Sequence, residues 1–168
     1  MDSLKRIDLE QTIEKYSDLI YRTNFLILRN SHDAEDVMQD TFIKYMRTDV
    51  EFRDEEHKKA WLLKVSQNKC KDMLRFHKVH AYIPYEEIQE YIIPDDFVDV
   101  EDIEEVIDIA KLSYKYKTVI LIHYIEGYSV KETAEILGIT ETAVKSRLKR
   151  AREKLKGTFE KVYKEEIN

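Results

Sequence analysis

The strongest constraint in this chain is a corner of three residues, Gly138, Ile139 and Thr140, between two stretches of helical periodicity. Ser129 with Glu132 three residues on makes a capping box, in which the hydroxyl and the carboxylate each take one of the amides left free where a helix begins. Val130, Ala134 and Leu137 then recur at helical spacing. Gly138 can adopt the left-handed conformation that ends a helix, and Thr140 can cap the next one. On that second helix Val144, Leu148, Ala151 and Leu155 fall within roughly 60° of one another at about 100° per residue, so they form one buried seam. Opposite the seam lie Thr142, Ser146, Lys149 and Arg150, flanked by Lys145 and Lys156. Short hydroxyls near the start of a helix and cations along its length suit a DNA major groove, where hydroxyls reach base edges and cations meet guanine or phosphate. Charge pattern alone fits a solvated basic helix equally well; the short Gly-containing corner favours a helix-turn-helix.

A chain of 168 residues with 43% hydrophobic residues can build one ordinary domain or two small ones. Three Gly and two Pro argue against a sheet-rich or loop-rich fold, and an all-α fold is expected. No apolar run approaches the length of a membrane span, and MDSLKRIDLE lacks a signal-peptide core, so a cytoplasmic protein without membrane insertion is expected. The lone Cys70 has no ligand cluster around it and is read as a helix residue.

The net charge of -6 is awkward for a DNA-binding chain, and its distribution resolves this. Residues 81–110 contain no Lys or Arg but many carboxylates, together with both prolines, Pro84 and Pro94. Residues 81–107 therefore read as an acidic linker between helical domains at 1–80 and 108–168. Its many apolar residues, among them Ile92, Ile93 and Phe97, predict that it touches the domains or a partner.

Toward the N-terminus, Leu9, Ile13, Tyr16, Ile20, Thr23 and Ile27 step along one helical face. Asp33 is read as the cap of a second helix with an inner stripe of Ala34, Val37, Met38, Thr41, Phe42 and Tyr45 and a polar, acidic outer face. A break at about Thr48–Glu56 holds Phe52. A third helix, from about His57 to His77, carries Trp61, Leu62, Val65, Met73 and Leu74 toward a core, with Trp61 mostly buried. Its other face presents Lys58, Lys59, Lys64, Lys69, Lys71 and Arg75, with Asn68 and Asp72 one turn apart.

Three stretches in this order, DAEDVMQDTFIKYMR, AWLLKVSQNKCKDMLR and the helix-turn-helix ending in AVKSRLKRAREKL, resemble an extracytoplasmic-function sigma factor of bacterial RNA polymerase over nearly the whole chain. The resemblance implies two domains, region two and region four. Region two would bind the core polymerase clamp through Asp36, Gln39 and Asp40. It would open the minus-ten element using the loop holding Phe52, where a flipped base is bound, and Lys64, Asn68, Lys69, Asp72 and Arg75; cations and amides of this kind suit single-stranded DNA. Region four would read the minus-thirty-five element through Thr142, Lys145, Ser146, Arg147, Lys149, Arg150 and Arg152, with Arg152 near the seam's edge and directed to phosphate. Promoter DNA, the core enzyme and an anti-sigma factor are the implied partners, with no cofactor or metal.

Two positions depart from the family pattern. Ser113 stands where the family often has proline, and its hydroxyl is expected to cap the following helix. Thr133 replaces a common aliphatic residue, with a hydroxyl expected to bond back to the preceding turn. Two other readings fit parts of the sequence: a dimeric helix-turn-helix regulator acting without polymerase, and a helical protein that holds polymerase or an inhibitor without touching DNA. Neither a nucleophile and base, a phosphate loop nor a metal-ligand spacing is present to suggest an enzyme.

Overall fold

The computed structural model describes residues 2–80, 109 and 111–155. They form helices and turns with no strand among them, in two compact units, 1–91 and 92–168. The expected acidic linker at 81–107 lies outside the described residues, as does Lys156.

The first unit packs three helices pairwise: α1 (Ser3–Leu28), α2 (Ser31–Arg47) and α3 (Glu55–His80). Helix α1 ends because Arg29 turns left-handed at φ 58 while its N–H bonds the Phe25 carbonyl. Asn30 then caps α2, its side chain accepting from the Asp33 amide at 2.9 Å. The helix thus begins ahead of Asp33, whose own role as cap was the sequence expectation. Asn30 and Asp33 are both good caps, and the earlier one satisfies the amide of the later.

Tyr16, Ile20, Thr23 and Ile27 are buried as the periodicity predicts, but Ile13 is 38% exposed and Thr12 takes its inward place at 2%. Thr12 is drawn in by polar partners, the Tyr45 hydroxyl and the Lys58 ammonium, each at 3.4 Å. The three helices meet at buried Asn24, which donates to the Ala34 carbonyl at 3.2 Å and accepts from the Ser66 hydroxyl and the Cys70 thiol. Buried polar groups paired in this way tie α1, α2 and α3 to one register. Cys70 is fully buried at this junction, as its reading as a helix residue predicts.

Lys58, expected on the outer basic face, instead points at α1, bonding Asp8 there at 3.0 Å and Glu55 on its own helix at 3.2 Å. Glu55 also accepts from Lys15 at 3.1 Å and from the Tyr16 hydroxyl at 2.8 Å. Glu55 stands in the first turn of α3, so its charge also complements the positive end of the helix dipole.

The second unit begins with α4 (Tyr114–Val119), which runs straight into a π-helical turn, Ile120–Ile125. Ser113 holds the capping position with extended backbone, but its hydroxyl makes no cap bond. The expected side-chain cap is therefore not formed; the Ser113 carbonyl instead accepts from the Tyr116 and Lys117 amides, each at 3.0 Å. Four consecutive residues, Val119, Ile120, Leu121 and Ile122, are at most 2% exposed. A helix buried all round at this point is the hub on which α5 (Val130–Leu137) and α6 (Glu141–Lys154) pack. Gly127, at φ 76, turns the chain, and His123 braces the turn through a 2.6 Å contact with the Tyr128 carbonyl.

Hydrogen bonds from Tyr16 and Lys15 hold the Glu55 carboxyl down to about 2. A carboxylate with a depressed pKa stabilises the fold above its ordinary value near 4.5, and that contribution is lost as pH falls toward 2. Because the side chain is half exposed, Glu55→Gln is expected to cost under about 1 kcal/mol at neutral pH. Urea titrations between pH 7 and 2 check this: the variant and the parent should converge toward pH 2, and a gap independent of pH would contradict it.

Candidate nucleic-acid interface

The corner is built as its residues require. Ser129 Oγ accepts from the Glu132 amide at 3.1 Å, and Glu132 Oε2 accepts from the Ser129 amide at 2.8 Å, closing the capping box. Gly138 sits at φ 66, and the next amide, that of Ile139, bonds back to the Ala134 carbonyl at 3.1 Å. No neighbour lies within 4 Å of the position a Cβ would take on Gly138, so the positive φ and not space is what favours glycine. Thr140 caps α6 by accepting from the Ala143 amide at 3.1 Å.

Val144, Leu148, Ala151 and Leu155 are all buried, which turns Thr142, Lys145, Ser146, Lys149 and Arg150 outward to solvent. Arg147 lies half-exposed at the flank. Among the described residues no carboxylate pairs with Lys145, Arg147, Lys149 or Arg150. The face is therefore a field of uncompensated cations with two hydroxyls at its N-terminal end.

Arg152 differs from the rest of the set. Its guanidinium donates to the Tyr124 hydroxyl and lies 5.3 Å from the centre of that ring, so it braces α6 against the π-helical turn. This commits inside the unit a cation that sequence alone directs to a flanking phosphate. Thr133 differs too, because the expected bond to the preceding turn is not made: its hydroxyl is fully buried with no hydrogen-bond partner.

In the first unit Asp36, Gln39 and Asp40 all stand exposed on the outer face of α2. The face is held by cross-links: His32 meets Asp36 at 3.1 Å, His77 of α3 meets Asp33 at 2.9 Å, and Lys69 of α3 approaches Asp40 at 3.9 Å. Lys69 thus joins the acidic face of α2 to the basic face of α3. On that second face Lys64, Asn68, Asp72 and Arg75 are exposed, with Arg75 and Asp72 3.9 Å apart. Asn68 accepts from the Gln67 side chain at 2.9 Å, which orients its amide.

Phe52 packs on the domain, stacked on Tyr45 at 5.8 Å and edge-on to Trp61 at 5.6 Å. Trp61 is accordingly half-exposed, as part of this aromatic cluster and not of the inner core. Phe52 and Tyr45 wall a cavity of about 300 Å³ that also takes in Asp8, Thr48, Val50 and Lys58. Burial alone would raise the Asp8 pKa, but the Tyr45 hydroxyl and the Lys58 ammonium outweigh it and hold the carboxyl below its ordinary range. Burial would likewise lower Lys58, yet its bonds to Asp8 and Glu55 raise it. The cavity therefore carries a fixed negative and a fixed positive charge beside aromatic walls. Sequence reasoning missed Asp8, Tyr45 and Lys58 as lining groups, since they lie 37 and 50 positions apart in the bonds that join them and share no local motif.

The family described as Sigma-70 region 2 matches residues 12–79, and that described as Sigma-70, region 4 matches residues 109–155. The chain is 31% identical over 151 residues to the ECF RNA polymerase sigma factor SigM of Mycobacterium tuberculosis, covering 89% of this chain and 76% of that one. It is 32% identical over 159 residues to the ECF RNA polymerase sigma factor SigW of Bacillus subtilis, covering 86% and 84%. Among solved structures, the sigma factor RpoE of Bartonella quintana, in complex with the anti-sigma factor NepR, aligns with TM-score 0.69 at 22% identity over 88% of this chain and 94% of that one. CnrH, in complex with the cytosolic domain of CnrY, aligns with TM-score 0.60 at 24% identity over 89% and 86%. At these identities the two structures speak to the fold.

The orphaned Thr133 hydroxyl yields a stability prediction. Removing a buried, unbonded hydroxyl while keeping the shape should stabilise the unit, so Thr133→Val is expected to gain about 1 kcal/mol. Urea unfolding of the full chain measures this, and a loss of stability would show that the hydroxyl is bonded after all.

Proposed function

Because the chain belongs to the extracytoplasmic-function sigma factors of RNA polymerase, we propose that its two units divide promoter recognition between named faces. The outer face of α2, with Asp36, Gln39 and Asp40, docks on the core polymerase clamp. The exposed row of α3, Lys64, Asn68, Asp72 and Arg75 with Lys69 beside it, follows the melted minus-ten strand, its cations tracking the backbone and its amide meeting bases. The cavity beside Phe52 receives a flipped base against its aromatic wall. Helix α6 enters the major groove at the minus-thirty-five element, where Thr142, Ser146 and Lys149 meet base edges and Lys145, Arg147 and Arg150 meet the backbone.

The observation that carries this reading is the unpaired basic face of α6 set opposite a buried seam, in a chain whose net charge is -6. An acidic protein that leaves its cations unpaired on one helix face has concentrated its attraction for a polyanion there. A dimeric regulator acting without polymerase is not favoured, since it leaves the region-two half without a purpose. Membership of a family of transcription initiation factors supports the further reading that the protein is not an enzyme, with no cofactor or metal. No described helix is long and apolar enough to cross a membrane, and we place the protein in the cytoplasm with the polymerase it serves. RpoE and CnrH were each solved with a protein bound, NepR and the cytosolic domain of CnrY, and an anti-sigma factor is the corresponding partner for this chain.

Two measurements test the division. Asp36→Ala combined with Gln39→Ala should weaken binding to core polymerase at least tenfold, roughly 1.4 kcal/mol, without unfolding the first unit, because neither side chain is buried. Unchanged core affinity would remove α2 from the docking surface. Ser146→Ala or Lys149→Ala should cost about 1–3 kcal/mol in holoenzyme binding and relax preference at particular positions of the minus-thirty-five element. If both variants kept the parent's preference at every position, the rotation assigned to α6 in the groove would be wrong.

A further inference from the structure

The basic field does not end with α6. Tyr116, on α4 outside the helix-turn-helix, is buried to 8% exposure, and cations gather around its ring. Lys115 Nζ lies 4.8 Å from the ring centre and Lys154 Nζ, from α6, lies 5.4 Å from it. Arg150, also from α6, stands with Lys115 close enough to the phenol oxygen to draw its pKa down. Three cations from two helices thus meet at one aromatic ring.

Three like charges repel unless something of opposite sign is near. Where cations crowd together in the first unit the chain supplies it, as where Lys15 and Lys58 share Glu55. Among the described residues no carboxylate pairs with Lys115, Arg150 or Lys154. The cluster has a rigid floor, two cations fixed over its faces and a hydroxyl at its rim. That is a site built for an oxyanion and left without one by the chain itself.

Helical register says where the oxyanion comes from. Thr142, Ser146, Arg150 and Lys154 recur every fourth residue and form one stripe along α6. At about 1.5 Å per residue, Arg150 lies about 6 Å and Lys154 about 12 Å beyond Ser146 along the axis. The major groove is about 12 Å wide, so with Ser146 over base edges near its middle, Arg150 reaches the groove wall and Lys154 stands over the backbone. The cluster around Tyr116 therefore falls where a phosphate passes and not where a base does.

We propose that Lys115 and Tyr116 of α4, with Arg150 and Lys154 of α6, form a clamp for one backbone phosphate of the duplex flanking the minus-thirty-five element. This rests on the placement of α6 in the groove proposed above. Tyr116 is the positioning residue: its buried ring seats the two ammonium groups and its hydroxyl donates to the phosphate. Arg150 first and Lys115 second hold its pKa below the ordinary tyrosine value, in keeping with a positive site. The clamp makes α4 a DNA-contacting element, and it assigns Arg150 to the backbone.

The test uses holoenzyme reconstituted from the full chain and sigma-free core polymerase, titrated with promoter duplex and with its single-base variants at several salt concentrations. Lys115→Ala and Lys154→Ala should each weaken all duplexes alike, by severalfold, and lower the salt dependence by about one phosphate contact. Tyr116→Phe, which keeps the ring and the fold, should weaken all duplexes alike by a smaller factor with the salt dependence nearly unchanged. An unaltered salt slope in both lysine variants, or a change of base preference in either, would overturn the clamp. In a second arm, inorganic phosphate is titrated into the free chain while the Tyr116 ring resonances are followed. Weak binding, displaced by duplex, supports a backbone site; tight binding that duplex does not displace would make this a free-anion site and overturn the proposal. Failure of the groove reading looks different, since then Ser146→Ala and Lys149→Ala would leave base preference untouched whatever the lysine variants do.

Discussion

The rotation of α6 about its own axis is fixed by the burial of Val144, Leu148, Ala151 and Leu155 where α6 packs on α4 and α5, and every assignment of a DNA-facing residue depends on it. A helix with so narrow an apolar seam cannot turn by even one residue without exposing part of the seam and burying a cation, and burying an unpaired cation is far costlier than exposing a leucine. The bracing of Arg152 on Tyr124 adds a second restraint at the far end of the helix. Between these restraints the outward stripe from Thr142 to Lys154 is fixed in direction before any duplex arrives.

Charge is organised differently in the two units. In the first, several cations tie the helices together: Lys58 bridges Asp8 and Glu55, Lys15 holds Glu55, and Lys69 reaches across to Asp40. These pairs fix α1, α2 and α3 to one another and leave the outer face of α2 acidic. In the second, Lys115, Lys145, Arg147, Lys149, Arg150 and Lys154 have no carboxylate partners among the described residues. On the proposed reading the unpaired cations of the second unit are the ones that meet DNA, and a chain of net charge -6 would in this way present a surface to a polyanion.

What the sequence made legible was local. The capping box at Ser129, the left-handed glycine at 138 and the cap at Thr140 each need only residues a few positions apart, and all three stand as read. The seam on α6 follows from period alone. Where two local signals competed the sequence was ambiguous, as at Asn30 and Asp33, and the structure chose the earlier cap. What escaped was set by contacts across the fold. Thr12 displaces Ile13 inward because Tyr45 and Lys58 meet it from other helices, and Lys58 leaves the basic face for the same reason. The cavity beside Phe52, the brace between Arg152 and Tyr124 and the ring of cations on Tyr116 join residues far apart in sequence, which no periodicity encodes.

The division of labour is tested most directly by transcription from a promoter library in which the two upstream segments are randomised, using sigma-free core polymerase with and without the purified chain. The account predicts transcripts that depend on the added protein and whose templates share two sequence blocks at constant spacing, one read by each unit. Transcripts no more abundant than with core alone, or templates sharing a single palindromic block, would contradict it.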